Sequence, residues 1–335
     1  MQALELDEKM AHKGKQPSTL RRRFAGLSSL SFRVFHRRDP WQMPTSSSPS
    51  PTLPLHIPTP PPASFPSPAQ VREQGELVQG DEGDSHRVWR LEWSGVKMFV
   101  KEGVDVEEGE AEMTELARTA TDLPIPQVYR VEKDGDSTFI YLEALSGKMM
   151  AFLPPPIRRD VEQAIIADLR AAVARLHGVR APPGTRVGGY SRRPLSALLA
   201  DADVSPSLAS AAELHAWLRR DYLRARPSSS AAYDSEIAPH MDDSAPLVLV
   251  HGDLRGANLL AHEGRLSGTI DFGRAGWYPA WVEGFAPALE MMTEIPMRAE
   301  LRIAQVVLGE RVVKKEQDQW LRTASGGWRS ERTTE

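Results

Sequence analysis

Three oxygen-bearing side chains occupy two short motifs in the C-terminal half of this sequence. The first motif, HGDLRGAN, contains Asp253 and ends at Asn258; the second motif, DFG, begins at Asp271. Carboxylate and amide oxygens are suitable ligands for Mg²⁺, which completes its coordination shell with water and phosphate. If Asn258 and Asp271 bind the metal, Asp253 is free to accept a hydroxyl proton during attack on phosphorus. These residue types therefore indicate metal-assisted phosphoryl transfer.

Each motif follows an apolar run that is typical of a short buried strand. LVLV (247–250) leads into HGD, and LSGTI (266–270) leads into DFG. Gly264 lies near the turn of an expected hairpin, and hairpin pairing would bring Asn258 and Asp271 together. The predicted strands thus place the candidate metal ligands side by side.

The order His-x-Asp-x₄-Asn followed by Asp-Phe-Gly is the catalytic and metal-binding signature of the kinase fold. Either motif alone is weak evidence, but here both occur in order, with 18 residues from Asp253 to Asp271. A kinase fold also requires a lysine on a strand and a glutamate on the helix that follows it. The signature therefore predicts such a lysine and such a glutamate upstream of Asp253.

The upstream lysine is expected at the end of the strand-like run VKMFVK, where Lys101 is the candidate for contacting the α- and β-phosphates. Lys97 has the same strand parity and is an alternative. The acidic run DVEEGEAEMTELARTA predicts a helix. On it Glu110 shares a face with Met113 and is favoured over Glu112 as the partner of the lysine.

The segment YLEALSG (141–147) falls where two lobes would join. Its backbone near Leu142 to Leu145 is predicted to hydrogen-bond the adenine edge, which makes Leu142 and Ala144 candidate nucleotide-binding residues. The glycine-rich loop that should cover the phosphates is poorly marked, because QGDEGDS lacks the full G-x-G-x-x-G pattern.

The chain divides into three regions by composition and periodicity. Residues 1–70 are rich in Pro, Ser and Arg and are predicted to be disordered, because such a composition cannot bury a core. Residues 71–145 show strand alternation around the acidic helix and predict an N-lobe of antiparallel sheet plus helix. Residues 146–335 carry helical periodicity and both motifs, and predict a mainly helical C-lobe. The predicted fold class is α+β.

Bulk composition excludes several classes of function. The chain has no cysteine, so it can form neither disulfides nor thiolate zinc sites and has no cysteine nucleophile. A net charge of −4 disfavours a nucleic-acid partner, and no apolar run approaches the roughly 20 residues of a membrane helix. A cytoplasmic protein is expected, with mitochondrial targeting by the arginine-rich N-terminus as the alternative.

LVHGDLRGANLL together with LSGTIDFGRAGWYPAWVE resembles the aminoglycoside phosphotransferase and choline-kinase-like family, in particular its fungal-type members. MFVKEG and LPIPQVYRV are similar to its lysine strand and Pro-x-Pro-x-Val segment, and the resemblance covers roughly residues 85–295. It implies a two-lobed protein-kinase-like fold that uses ATP and Mg²⁺ to phosphorylate a small-molecule hydroxyl. It also implies one role for each candidate residue: catalytic base for Asp253, metal ligands for Asn258 and Asp271, phosphate-binding lysine for Lys101, and ion-pair partner for Glu110.

Two other functions remain as alternatives, a protein kinase and a catalytically inactive nucleotide-binding scaffold. A protein kinase is disfavoured because about 105 residues separate the expected hinge from His251 and no A-P-E motif follows Asp271. Gly252 also replaces the arginine of His-Arg-Asp. Arg255 is a candidate for touching the γ-phosphate. Four residues near the DFG motif are candidates for lining the substrate pocket, namely Trp277, Tyr278, Trp281 and Glu283.

Overall fold

The computed structural model describes residues 53, 56–81, 83–153, 159–189, 207–225, 230–234 and 238–283. These residues form a sheet-rich N-lobe and a C-lobe that contains the longer helices. In the described part of the chain, no helix is long and apolar enough to cross a membrane.

The N-lobe is built on a five-stranded antiparallel sheet with the strand order β1-β2-β3-β5-β4. Its strands are β1 (Glu76–Gln79), β2 (His86–Trp93), β3 (Val96–Gly103), β4 (Val128–Asp134) and β5 (Ser137–Glu143). Helix α1 (Pro68–Gln74) precedes the sheet, and helix α2 (Glu108–Ala120) connects β3 to β4. Gly95 and Gly135 adopt positive φ in the hairpin turns, a conformation that glycine adopts without steric cost.

Strand alternation gives this sheet two different faces. One face packs beneath α1 and buries a cluster of aliphatic and aromatic residues that contains Val71, Trp89, Leu91, Met98, Val100, Phe139 and Tyr141. The opposite face carries Lys101, which lies across from Ile140 in the ladder. Ile140 is buried with Ala111 of α2, so α2 covers the lysine-bearing face. The sheet therefore directs Lys101 toward the helix that bears Glu110.

The C-lobe contains helices α3 (Arg159–Gly178), α4 (Ala211–Ala225) and α5 (Ser230–Ala232), with 3-10 turns at Met150–Phe152, Ala238–His240 and Gly256–Asn258. Helix α3 buries apolar residues that recur every three to four positions, including Ile165, Leu169, Val173 and Leu176. The two-lobed, kinase-like α+β fold predicted from the sequence is confirmed.

Two small sheets of the C-lobe position the motifs. The first has the order β10-β9-β6 and consists of β6 (Lys148–Met149), β9 (Leu259–His262) and β10 (Arg265–Thr269). The second has the order β7-β11-β8 and consists of β7 (Gly188–Gly189), β8 (Leu247–Val250) and β11 (Gly276–Pro279). Because β8 precedes HGD and β11 follows DFG, their pairing brings the two motifs together.

The folded part of the N-lobe begins upstream of the boundary predicted at residue 70. Residues 56–67 lie against the sheet, where Tyr141 donates a hydrogen bond to the carbonyl of Pro66. Helix α1 then starts from a capping box formed by Ser67 and Gln70. Long-range contacts from the sheet order this proline-rich stretch, which composition alone could not reveal. Residues 1–52, 54 and 55 lie outside the described residues, so their disorder stays a prediction.

Candidate active site

An ion-paired triad joins the two lobes. Lys101 Nζ lies 2.9 and 2.8 Å from the two carboxylate oxygens of Glu110 and 3.0 Å from Oδ1 of Asp271. Lys101 and Asp271 are 170 residues apart in the sequence, so only the tertiary fold brings them together. Lys97 is exposed on the same strand, and Glu112 is exposed on α2. The structure therefore selects Lys101 and Glu110 from the predicted alternatives.

The charges of this triad are strongly coupled. Burial alone would lower the pKa of Lys101, but Glu110 and Asp271 reverse that effect and raise it, so the amine stays cationic. Burial raises the pKa of Glu110 to about 7 against the opposing pull of Lys101, and the negative charge of Asp271 adds to the rise. For Asp271, Lys101 overcomes the effect of burial and lowers the pKa. One ammonium is thus shared by two carboxylates.

The predicted hairpin carries the two candidate metal ligands at its open end. Strands β9 and β10 pair around Glu263 and Gly264, and the Ile270 amide donates to the carbonyl of Asn258 over 3.0 Å. Asp271 follows with φ 65°, a left-handed conformation that is uncommon for a residue other than glycine. Such strain concentrates at functional sites, which fits the role expected for this carboxylate.

Asp253 lies in the loop after β8 and is buried. Its Oδ2 accepts a hydrogen bond from Asn258 Nδ2 over 3.0 Å, and its Oδ1 accepts one from Arg274 over 3.2 Å. Arg255 lies further away, with Nε 3.6 Å from Oδ2. Burial raises the pKa of Asp253 above its ordinary value, although Arg274 and Arg255 oppose the rise. The carboxylate is held in one orientation and is a stronger base than an exposed aspartate.

A fully buried carboxylate braces the loop that carries Asp253. The Glu283 side chain accepts hydrogen bonds from the backbone amides of His251, over 2.8 Å, and Gly252, over 3.0 Å. Burial opposes ionisation of Glu283, but His177 and His251 outweigh it and lower its pKa. The prediction that Glu283 contributes to a substrate pocket is wrong, because it is inaccessible and its oxygens bind backbone amides.

His251 has a structural role. Its ring lies 4.5 Å from the ring of Phe272, and its Nε2 lies 3.0 Å from the carbonyl oxygen of Ile270. These contacts tie the HGD loop to the DFG loop. The nearby aromatics also serve packing: Tyr278 and Trp281 are buried in a C-lobe core, and Trp277 packs half-buried against the main core. The substrate-pocket role considered for these three residues finds no support in their positions.

Gly252 occupies a position that other residues would enter only with strain. Its φ is +76°, and an added Cβ would lie 2.6 Å from the carbonyl oxygen of Arg274. The arginine of His-Arg-Asp could therefore not be placed here without moving the backbone. Since that arginine would be the partner of a phosphorylated activation segment, its exclusion disfavours the protein-kinase alternative.

The hinge between the lobes follows β5. Leu142 pairs with Phe99 on one side and Val128 on the other, so its backbone belongs to the sheet ladder. The backbone groups predicted to hydrogen-bond the adenine edge are therefore those of Ala144 and Leu145, rather than that of Leu142. Leu145 packs against the β9–β10 hairpin, since a Cβ added at Gly268 would lie 2.8 Å from its Cδ1. The hinge is thereby fixed to the lobe that carries the two candidate metal ligands.

The donor set formed by Asn258 and Asp271 fits Mg²⁺. Asn258 uses its amide nitrogen for both the carbonyl and the carboxylate of Asp253, which turns its amide oxygen away from that residue. Asp271 uses one carboxylate oxygen for Lys101, which leaves the other for a cation. The described residues contain no group of three or more His, Cys, Asp or Glu that could hold a metal ion. A cation held by one amide and one carboxylate would complete its shell with water and phosphate.

The amino-acid sequence also matches a protein-family model. The model of the phosphotransferase enzyme family (APH) matches residues 76–310. This chain belongs to the phosphotransferase enzyme family. The protein is therefore a phosphotransferase. A search of curated proteins found no match.

Solved structures similar to this family member are distant in sequence. Aminoglycoside phosphotransferase APH(4)-Ia is 15% identical, covers 75% of this chain and 89% of its own, and gives a TM-score of 0.47. A putative fructosamine-3-kinase from Haemophilus somnus 129PT is 13% identical, with coverage of 78% and 86% and a TM-score of 0.46. Macrolide 2'-phosphotransferase MphH from Brachybacterium faecium is 16% identical, with coverage of 78% and 90% and a TM-score of 0.44.

Sequence reasoning missed two features of this phosphotransferase site. Arg274 contacts the candidate base, and its only signal in the sequence is its position directly after DFG. Glu283 braces the loop from 32 residues downstream of His251. A single glutamate among the apolar and aromatic residues of YPAWVE was the available signal, because a charge in such a segment requires a partner.

Proposed function

We propose that this protein transfers the γ-phosphoryl group of ATP to a hydroxyl of a small molecule, with Mg²⁺ as the cofactor. The observation that carries the proposal is the convergence of Lys101 and Asp271 at 3.0 Å, beside a loop that holds Asp253 buried and oriented. An ammonium, a candidate base and two oxygen ligands are the groups that phosphoryl transfer needs.

In this proposal each side chain has one task. Lys101 binds the α- and β-phosphates while Glu110 holds its amine in position. Asn258 and Asp271 would hold Mg²⁺, which neutralises negative charge on the phosphates when bound. Leu142 contributes a side chain, and Ala144 a backbone group, to the adenine site.

Asp253 is proposed to accept the proton of the acceptor hydroxyl. As the acceptor oxygen bonds to the γ-phosphorus, the bond from that phosphorus to the bridging oxygen of ADP breaks. The carboxylate can take this proton although Asn258 and Arg274 each contact it, because its two oxygens have about four lone-pair sites. Asn258 and Arg274 orient the base during the step.

The proposal is tested by separating turnover from binding. Asp253→Asn removes the base but keeps the side-chain shape, so ADP release should fall by about 100-fold or more while ATP affinity stays within about twofold. Asp271→Ala should instead weaken ATP binding in the presence of Mg²⁺ and have a much smaller effect without it. Asp136→Asn, at the exposed β4–β5 turn, is the control and should leave both measurements unchanged.

The assays are ADP release and isothermal titration calorimetry with and without Mg²⁺. The acceptor panel comprises aminoglycosides, choline, ethanolamine, other amino-alcohols and sugars. Comparable turnover in Asp253→Asn would refute the assignment of the base. ATP binding without ADP release against any acceptor would favour the inactive scaffold over the enzyme.

A further inference from the structure

A segment upstream of the kinase-like lobes lies along the N-lobe and contacts both the hinge and the sheet. We call Leu53 together with residues 56–67 the N-terminal strap. Tyr129 donates a hydrogen bond to the carbonyl of Thr59, and Tyr141 donates one to the carbonyl of Pro66. Phe65 packs edge-on against Tyr141, with ring centroids 5.8 Å apart. These contacts do not belong to the active site described above.

One anchor of the strap is the carboxylate at the start of the hinge. Glu143 is the last residue of β5 and is only 2% exposed. It accepts hydrogen bonds from the backbone amide of Thr59 over 2.6 Å and of Gln127 over 3.1 Å, and lies 3.0 Å from Nε2 of His56. Two of these three partners come from the strap. Without the strap, a buried carboxylate directly before Ala144 would lose most of its hydrogen bonds.

The other anchor lies in the main buried core, which also receives helix α2. Leu53 is 5% exposed and belongs to this core together with Met113 and Ala117 of α2 and several residues of the C-lobe. Met113 and Ala117 follow Glu110 by three and seven residues, so they lie on the face of α2 that bears Glu110. Because protein cores are close-packed, the filling of this core fixes where that face of α2 lies, and hence the position of Glu110 relative to Lys101.

We propose that the N-terminal strap positions the Lys101–Glu110 ion pair through Leu53, and so sets the affinity for the nucleotide phosphates. Leu53 is a positioning residue in this scheme, because it acts through α2 and touches no reacting atom. Removing its side chain leaves a cavity in the core that receives α2, which lets the helix shift and lengthens the ion pair. The nucleotide part of this inference rests on the proposed function.

The chain provides a matched control within the strap. Leu53→Ala truncates the buried side chain, whereas Ile57→Ala truncates one that is 78% exposed. Binding of a non-hydrolysable ATP analogue with Mg²⁺ is measured by calorimetry on the full chain. Leu53→Ala should bind the analogue about 5- to 20-fold more weakly, the range of a modest coupling between sites. Ile57→Ala should bind within about twofold of wild type.

A double-mutant cycle separates positioning from a general loss of stability. In a Glu110→Gln background the ion pair is already removed, so Leu53→Ala should weaken analogue binding no further. The inference would be overturned if Leu53→Ala weakened analogue binding by the same factor in both backgrounds. It would also be overturned if Leu53→Ala left analogue binding unchanged in the wild-type background. If Leu53→Ala does not fold, Leu53→Val makes a smaller cavity and takes its place in the same cycle.

A readout without nucleotide distinguishes failure of this inference from failure of the proposed function. Amide hydrogen exchange of Glu108–Ala120 should be at least about threefold faster in Leu53→Ala than in Ile57→Ala. If wild type does not bind the analogue at all, the ATP proposal fails, and hydrogen exchange alone decides the role of the strap. Equal exchange in the two variants would then overturn the positioning role.

Discussion

Glu283→Gln is the most informative perturbation of the loop that holds Asp253. The native carboxylate accepts hydrogen bonds from the backbone amides of His251 and Gly252. Glutamine presents one oxygen, so one amide would face an NH₂ group and lose its partner. Losing a hydrogen bond to a charged acceptor and leaving a buried donor unsatisfied should lower the free energy of unfolding by about 2–4 kcal/mol. The effect on stability is therefore large.

The effect on turnover should exceed what stability explains. Asp253 is two residues from His251 and donates its backbone amide to the ring Nδ1 of that histidine over 3.2 Å. A shift of the loop by about 1 Å can lower the rate roughly 100-fold, because the proposed base then loses its alignment with the acceptor hydroxyl. We expect at least about a 30-fold loss of ADP release at a temperature where the variant stays folded.

Asp168→Asn is the matched control for Glu283→Gln. Asp168 is another buried carboxylate, which accepts from Arg265 and from the backbone amide of Leu266, away from the catalytic loop. It should lose stability on a similar scale, as measured by chemical denaturation, yet keep turnover within about threefold. If both variants lose turnover equally, or if Glu283→Gln keeps it, the bracing role is refuted.

The stability difference between wild type and Glu283→Gln should also depend on pH. The pKa of Glu283 is held below its ordinary value of 4.5. The ionised carboxylate therefore contributes stability above that ordinary value, and the contribution declines as pH falls through the lower folded pKa. Denaturation at several pH values should show the difference narrowing in acid. A difference that widened in acid would contradict this assignment of charge.

Two further predictions concern the same loop. Burial raises the pKa of Asp253, and the role proposed for it as the base requires the ionised form, so the acid limb of the pH–rate profile should lie above that of an ordinary aspartate. Arg274→Ala removes a positive charge that lowers the pKa of Asp253, so it should move this limb to higher pH. A limb that did not move would contradict the contact between Arg274 and Asp253. Gly252→Ala combines positive φ with a Cβ 2.6 Å from a carbonyl oxygen, and should lower the free energy of unfolding by about 2 kcal/mol or more. Gly135→Ala is the control, because Gly135 also has positive φ but a Cβ added there would meet open space. Its free energy of unfolding, measured by urea denaturation, should fall by only about 1 kcal/mol. Equal losses of stability in the two variants would argue against the clash at Gly252.

The local part of the site could be predicted from the sequence. Asp253, Asn258 and Asp271 were found because each lies within a few residues of a strand end, and such short-range patterns follow from strand periodicity and turn chemistry. Lys101 and Glu110 followed from the alternation of β3 and the inward face of α2. The predicted N-lobe of antiparallel sheet plus helix is also what the structure shows, with β2 and β3 before α2, β4 and β5 after it, and α1 and β1 preceding them.

The N-terminal boundary and the partners of the buried charges could not be predicted in this way. Residues 56–67 have the composition of a disordered tail, yet the sheet supplies hydrogen-bond donors and aromatic surface that hold them in place. The sequence predicted a pocket role for Glu283. It could not reveal that this side chain binds two backbone amides, because those donors lie 31 and 32 residues earlier. A side chain's partner at such separation depends on how strands pack, which no local pattern encodes.

The sequence by itself determined which side chains could perform phosphoryl transfer and on which elements they lie, because those properties depend on residue type and local periodicity. The tertiary structure decided which of them meet. Lys101 reaches Asp271 because the N-lobe closes onto the C-lobe, where the β9–β10 hairpin and the β8–β11 pairing position the DFG loop. Burial of the surrounding charges, which sets their pKa values and holds the base in one orientation, follows from that closure.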